Sequence, residues 1–264
     1  MIKKFANKVL VVDEDLLLDL KNESVTDYDL IISESDISTQ LIQLPIDNEQ
    51  AEQLEGLIEF SDLKPGVVLF KNNYSRAFDL AEDFTENIVL KKYGLFVRLC
   101  LALGAKNVSI SDIEDDAQIE KEKSGWGTEI QASAPIASGG ASASVDNSEL
   151  KSKVTKSMSN FVANASGGEP DLEAAKKIIV DYKLQREQIF TDLYAFKELK
   201  NNKINSYDVN MDFISDVKVI SDSALEAKLD VMAKIYSGSA SLKKVKNIVR
   251  NGRISKVLKI NVQF

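Results

Sequence analysis

The side chains of this chain that are able to do chemistry are carboxylates, amines and one thiol, because the sequence contains no histidine. Histidine is the usual proton carrier near neutral pH and a common zinc ligand. Its absence excludes serine–histidine–acid triads, cysteine–histidine pairs and histidine-containing metal sites. Cys100 is the one cysteine, so neither an intrachain disulfide nor a thiolate cluster is open to the chain. It lies within LFVRLCLALG, an apolar helical stretch, where a thiol is expected to pack as a small hydrophobe.

Carboxylates remain. Asp112, Glu114, Asp115, Asp116 and Glu120 form the densest acidic run, just after a predicted strand. Such oxygen-rich clusters hold magnesium or calcium, and paired carboxylates in a cleft do acid–base work. A metal-dependent carboxylate enzyme is therefore one alternative reading. DIEDD, however, has neither the glycine nor the ligand spacing of a calcium loop, and the expectation is a solvated loop. A second trio, Asp13, Glu14 and Asp15, closes KVLVVDED. With YDLIISESD following, the opening superficially suggests a phosphoacceptor receiver domain, but the second segment arrives too soon for the intervening helix and strand. The trio is expected to be a solvated strand end. ASGGAS and SGSAS carry neither a phosphate loop's lysine–hydroxyl ending nor nucleotide-binding glycine spacing. No cofactor or metal site is expected.

The amines are unevenly placed. The net charge is −8, yet residues 1–90 hold 7 basic and 19 acidic side chains, residues 91–170 are nearly balanced, and residues 171–264 come to +5. No acidic residue follows Asp230. Lys243, Lys244, Lys246, Arg250, Arg253 and Lys256 are the candidate contact residues, able to meet an anionic surface. That surface is either the acidic beginning of another copy, giving a homo-oligomer, or the front of the same chain. Nucleic acid is disfavoured: no tyrosine or tryptophan interrupts the basic run, and the whole protein is acidic.

These groups must be positioned by elements that the hydrophobic pattern suggests. Lys8–Val12 reads as a buried strand, Leu30–Ile32 as another, and VVLF as a third. Residues 48–60 suit a short helix before the turn at Pro65–Gly66. Phe78, Ala81, Phe84, Leu95, Leu99 and Leu103 recur at helical spacing, as two helices or one broken near Gly94. Gly104 is placed to stop them before a strand at KNVSIS. Thr128–Val145 alternates Ala and Ser around Gly139–Gly140 and reads as a hairpin of low bulk. Residues 150–162 fit either period. Pro170, Asp171 and Glu173 suit the start of a long packing helix reaching about Leu199. In the tail, Val209, Met211 and Phe213 alternate, as do Val217 and Val219. Leu225–Ile235 alternates strictly and reads as a strand. RNGR reads as a hairpin turn joining a strand at Lys243–Val249 to a closing strand in which Leu258, Ile260, Val262 and Phe264 share a face.

The expected class is α+β: a mixed N-terminal part, a long packing helix and an antiparallel β C-terminal part. Residues 1–116 form the mixed region and residues 117–264 the remainder, continuous with it or separate, with boundaries suggested near 66 and 167–170. The N-terminus begins basic, but its apolar run is broken at once by Asp13, so neither an export signal nor a membrane span is supported and a cytoplasmic location is expected. The function expected is non-enzymatic protein binding or self-assembly. Membrane interaction or pore formation through amphipathic hairpins at Thr128–Val145 and Ser223–Ile235 is the other alternative. It is disfavoured because alanine faces gain little on transfer from water.

Overall fold

The run Val9–Val12 has no polar alternate because both faces of its strand are covered: all four side chains are fully buried. In the computed structural model, which describes residues 6–33, 38–115, 163–199, 204–213, 216, 220, 222–236, 239–251 and 256–264, this run forms β1 (Lys8–Asp13). Asp13 ends the strand and starts α1 (Glu14–Glu23), its carboxylate accepting from the Leu16 N–H at 2.8 Å. Ser24 closes α1 and caps α2 (Val25–Ile32). Residues 30–32 are thus the end of a helix rather than a strand, because the Ser24 cap commits them to helical hydrogen bonding. The two helices return the chain to β2 (Thr39–Leu44), which pairs in parallel with β1.

After β2 come α3 (Asn48–Leu54), a short 3-10 turn at Phe60–Asp62, β3 (Val68–Lys71) and β4 (Phe78–Leu80). Asp47 and Gln50 close a reciprocal capping box on α3. The helix expected over 48–60 stops early, and Gly56 follows at φ 72°, a torsion suited to glycine. The sheet order is β2-β1-β3-β4, with β3 antiparallel to β1 and to β4. One face packs Val9, Val11, Ile42, Leu69 and Phe78 against Leu54 and Ile58. Phe78 and Ala81, expected on a helix, belong to β4 and the turn after it; the helix begins at Phe84.

That helix, α4 (Phe84–Ala102), is the long helix of the architecture at 19 residues. It runs unbroken through Gly94, and Gly104 follows it at φ 85°, where a Cβ would run into the carbonyl oxygen of Gly168. Then come β5 (Asn107–Asp115), β6 (Ala163–Asn164), α5 (Leu172–Asp181), a 3-10 turn at Leu184–Arg186, α6 (Gln188–Glu198) and β7 (Ser206–Asp212). The single helix expected over 170–199 is therefore two. Lys183, left-handed at φ 55°, turns the chain between them, and the turn lets Ile179, Leu184, Phe190 and Leu193 all be buried.

The chain continues through α7 (Ser223–Ile235), α8 (Ala240–Asn251) and β8 (Lys256–Gln263). Leu225–Ile235 is helical despite its alternation. Asp222 caps it by accepting from Ala224 N–H at 2.9 Å, and Leu225, Leu229 and Met232 are buried at helical spacing. Lys228, polar in the alternating pattern, is buried too and donates to the Ser33 carbonyl at 3.2 Å. Lys243–Val249 is likewise helical. The Ser239 hydroxyl accepts from Leu242 N–H, Leu242, Val245 and Val249 are buried at i, i+3 and i+7, and the helix runs through Asn251 of RNGR. β8 pairs instead with β5 and β7, giving an antiparallel sheet in the order β6-β5-β8-β7. Leu258, Ile260 and Val262 are buried in it, as their spacing suggests.

The chain is a mixed α+β protein with a long central helix and antiparallel C-terminal strands. It divides into two compact units: Met1–Ile88 with Ser215–Ile254, and Val89–Ile214 with Ser255–Phe264. The first holds the β1–β4 sheet with α1–α3, α7 and α8. The second holds the β5–β8 sheet with α5, α6 and most of α4. In the second unit Phe96 meets Phe190 edge to face at 5.9 Å, and the buried Lys92 donates to the Asp212 carbonyl and pairs with Glu187. The Ala/Ser hairpin at Thr128–Val145, the ambiguous stretch 150–162, Val217 and Val219 lie outside the described residues.

Candidate functional site

The parallel pair β1–β2 ends in a gap. Helix α1 leaves β1 at Asp13 while the chain beyond β2 turns through Pro45 and Ile46 into α3, so the carboxyl ends of both strands open onto one groove. Crevices of this kind, outside the carboxyl ends of parallel strands, are where open α/β sheets take ligands. The groove lies wholly in the first unit, is open-sided, and encloses about 770 Å³. Leu44, Pro45, Ile46, Ala51, Phe60 and Leu63 supply its apolar wall, and Asp13, Glu14 and Asp15 its polar rim. Phe60 is 48% exposed, a large aromatic face left to solvent.

The three carboxylates are not equivalent. Asp13 is half-buried, and its Oδ1 takes both the Leu16 N–H and, at 3.5 Å, the hydroxyl of Tyr236 at the end of α7. Burial, with Asp13 beside it, pushes the Tyr236 hydroxyl up to about 12. The phenol therefore stays a donor throughout the neutral range. Its ring lies against Gly66, where a Cβ would stand 3.1 Å from it. Glu14 and Asp15, in the first turn of α1, are exposed. Among the described residues neither forms an ion pair and no basic residue lines the groove. Glu14 and Asp15 are solvated as expected but open a helix rather than end a strand, and Asp13, the last residue of β1, is a half-buried helix cap. The signal for the cap was an aspartate placed three residues before the first buried helical leucine, Leu16.

The other carboxylate run does not assemble a site among the described residues. Asp112 sits beside an irregularity in the β5–β8 register and accepts from the N–H of Ile113, while Asp116 and Glu120 lie outside those residues. No group of three or more His, Cys, Asp or Glu among the described residues is placed to hold a metal ion. Cys100 is fully buried on α4, and burial pushes its thiol far above its ordinary value. That thiol is a packing group and a poor nucleophile at neutral pH.

The basic residues singled out by sequence are divided. Lys243, Lys244, Lys246 and Arg250 stand on α8. Lys256 is in β8, and Arg253 lies outside the described residues. Lys246 pairs with Asp230 of α7, and Arg250 with Glu226 at 2.7 Å. Since 226 and 230 are one helical turn apart, as are 246 and 250, the two pairs lace the α7–α8 hairpin together. Lys243 is exposed and Lys244 half-exposed, with no ion pair among the described residues. Part of the basic ending thus meets acids of its own unit: Lys234 also pairs with Asp27 of α2, at 2.8 Å. Ser223–Ile235, being helical, offers no alternating strand to a bilayer, and no helix among the described residues is long and apolar enough to cross a membrane. Comparison with protein-family models, with curated proteins and with solved structures gives no match to this chain.

Proposed function

We propose that this is a cytoplasmic protein-binding module that works by non-covalent contact, and that the groove at the carboxyl ends of β1 and β2 receives part of a protein partner. The observation that supports this reading is an apolar wall with a half-exposed phenylalanine beside an acidic rim, in an open groove. Groove volumes of about 300–1,000 Å³ suit ligands in general, but a small molecule needs 70–90% of its surface enclosed. An open-sided groove favours a segment of polypeptide that continues past both ends. A large aromatic that stays exposed in the free protein is the type of residue that anchors such contacts.

Selection from a random peptide library tests the reading. Sequences enriched on the native chain are expected to bind Phe60→Ser at least about tenfold more weakly. Enriched sequences that bind both proteins equally overturn it. Self-assembly is the special case in which the partner is a second copy, with Lys243 and Lys244 of one copy facing the acidic groove of another. Light scattering would then show a concentration-dependent dimer that dissociates in high salt and on reversal of those two charges.

A further inference from the structure

We infer that the segment held by the groove is cationic as well as apolar: a peptide stretch in which lysine or arginine alternates with large aliphatic side chains. The inference rests on the groove being the binding site, and it follows from the carboxylates that stand beside its apolar wall. Four acids of that unit, Asp27, Asp222, Glu226 and Asp230, each hold a lysine or arginine. Glu14 and Asp15 hold none among the described residues, as is true of other exposed acids of the unit such as Asp19 and Asp29; what sets the two apart is that they stand at the mouth of a groove with an apolar wall.

The needs of α1 do not account for both. Asp13 alone caps the helix, its Oδ1 already engaged by the Leu16 N–H and the Tyr236 hydroxyl. The N-terminus of a helix carries the equivalent of roughly half a positive charge. Three carboxylates at that end leave a clear negative excess facing the groove. A metal ion is a poor match to this excess, because Asp13 is committed and Glu14 and Asp15 lie on a helix surface rather than converging on a point. A flexible ammonium or guanidinium on a long apolar stem matches it well: the stem lies on Leu44, Pro45 and Phe60 while the head reaches Glu14 or Asp15. Phe60 adds a ring face to which such a cation is attracted.

Fluorescence anisotropy on the full chain tests this with three labelled peptides that share one leucine spacing and carry Lys, Ser or Glu between the leucines. The Lys peptide is expected to bind about tenfold tighter than the Ser peptide, and the Glu peptide more weakly than either. The advantage should shrink between about 50 mM and 500 mM salt. Glu14→Gln with Asp15→Asn should abolish the Lys peptide's advantage without affecting the Ser peptide. Phe60→Ser should weaken both, and Asp29→Asn, on the exposed surface of α2, should change neither. Equal binding of Lys and Ser peptides, both lost in Phe60→Ser, overturns the cationic inference and leaves the groove reading standing. Lys-peptide binding that is indifferent to the Phe60, Glu14 and Asp15 substitutions overturns both. No binding of the Lys peptide overturns the inference, and the library selection then decides the groove reading separately.

Discussion

In the α7–α8 hairpin of the first unit, acids and bases face one another: Glu226 holds Arg250 and Asp230 holds Lys246. In the groove of the same unit, acids face an apolar wall and, among the described residues, no base. Summed along the sequence these two regions appear as a single gradient, acidic at the start and basic at the end. In three dimensions they behave oppositely. The hairpin pairs Lys246 and Arg250 internally and leaves Lys243 and Lys244 over, whereas Glu14 and Asp15 in the groove pair with nothing among the described residues. A local excess of basic residues is therefore a weak guide to a contact surface when their acidic partners lie one helix earlier in the chain.

The largest effect that sharpens this contrast is expected at Asp222. This carboxylate caps α7, pairs with the buried Lys8 at 2.6 Å and accepts from Ser38 at 3.0 Å. Asp222→Ala removes the cap and strands Lys8, and should destabilise the protein by about 3 kcal/mol, read as a lower urea midpoint. The pH dependence has a definite sign. The hydrogen bond from Lys8, foremost, holds the Asp222 carboxyl below its ordinary 3.8. Its stabilisation is therefore complete above pH 3.8 and is lost as pH falls through the lower folded value. The gap between wild type and Asp222→Ala should narrow only below pH 3.8. A gap that is constant from neutral to strongly acidic pH would show that the ion pair contributes nothing.

Next in size is the groove. Phe60→Ser should leave the urea midpoint almost unchanged, because the ring is half-exposed, while costing a selected peptide at least tenfold in affinity, or about 1.4 kcal/mol. A large stability loss with unchanged binding would make Phe60 a core residue and dissolve the contrast. Smaller still is the hairpin: a double-mutant cycle of Glu226 and Arg250 should give a coupling of about 0.2–1 kcal/mol that declines with salt. Smallest is Lys243→Glu, expected to move stability by under about 0.5 kcal/mol. Light scattering of the same variant decides whether Lys243 contributes to self-association.

Much of the framework was legible in residues. Lys8–Val12, VVLF, KNVSIS and the closing strand announce themselves through apolar runs or alternation, and the Gly104 stop through its torsion. The tail was misleading for a physical reason. In Leu225–Ile235 positions 225 and 229 serve both a two-residue and a helical period, and the deciding residues were polar. Asp222 caps the helix, and Lys228 is buried because it finds the Ser33 carbonyl, 195 positions away. A pattern that scores lysine as exposed reads that position backwards. The α5–α6 break is equally hidden, since Lys183 is no usual left-handed residue. As for the groove, its acids were visible, but the wall built from residues 44–46, 51, 60 and 63 is a product of long-range pairing that no local pattern encodes.

The ion pair between Lys8 and Asp222 joins residues 214 positions apart, with the whole β5–β7 stretch of the second unit lying between them in sequence. At the ribosome, where elongation runs at about 5–20 residues per second, roughly 10–40 s pass between the appearance of one partner and the other. Throughout that interval Lys8 on the first strand lacks its carboxylate partner, because Asp222 and the helix it caps have yet to be made. Substitutions that stabilise the early sheet by itself should therefore raise yield more than they raise final stability.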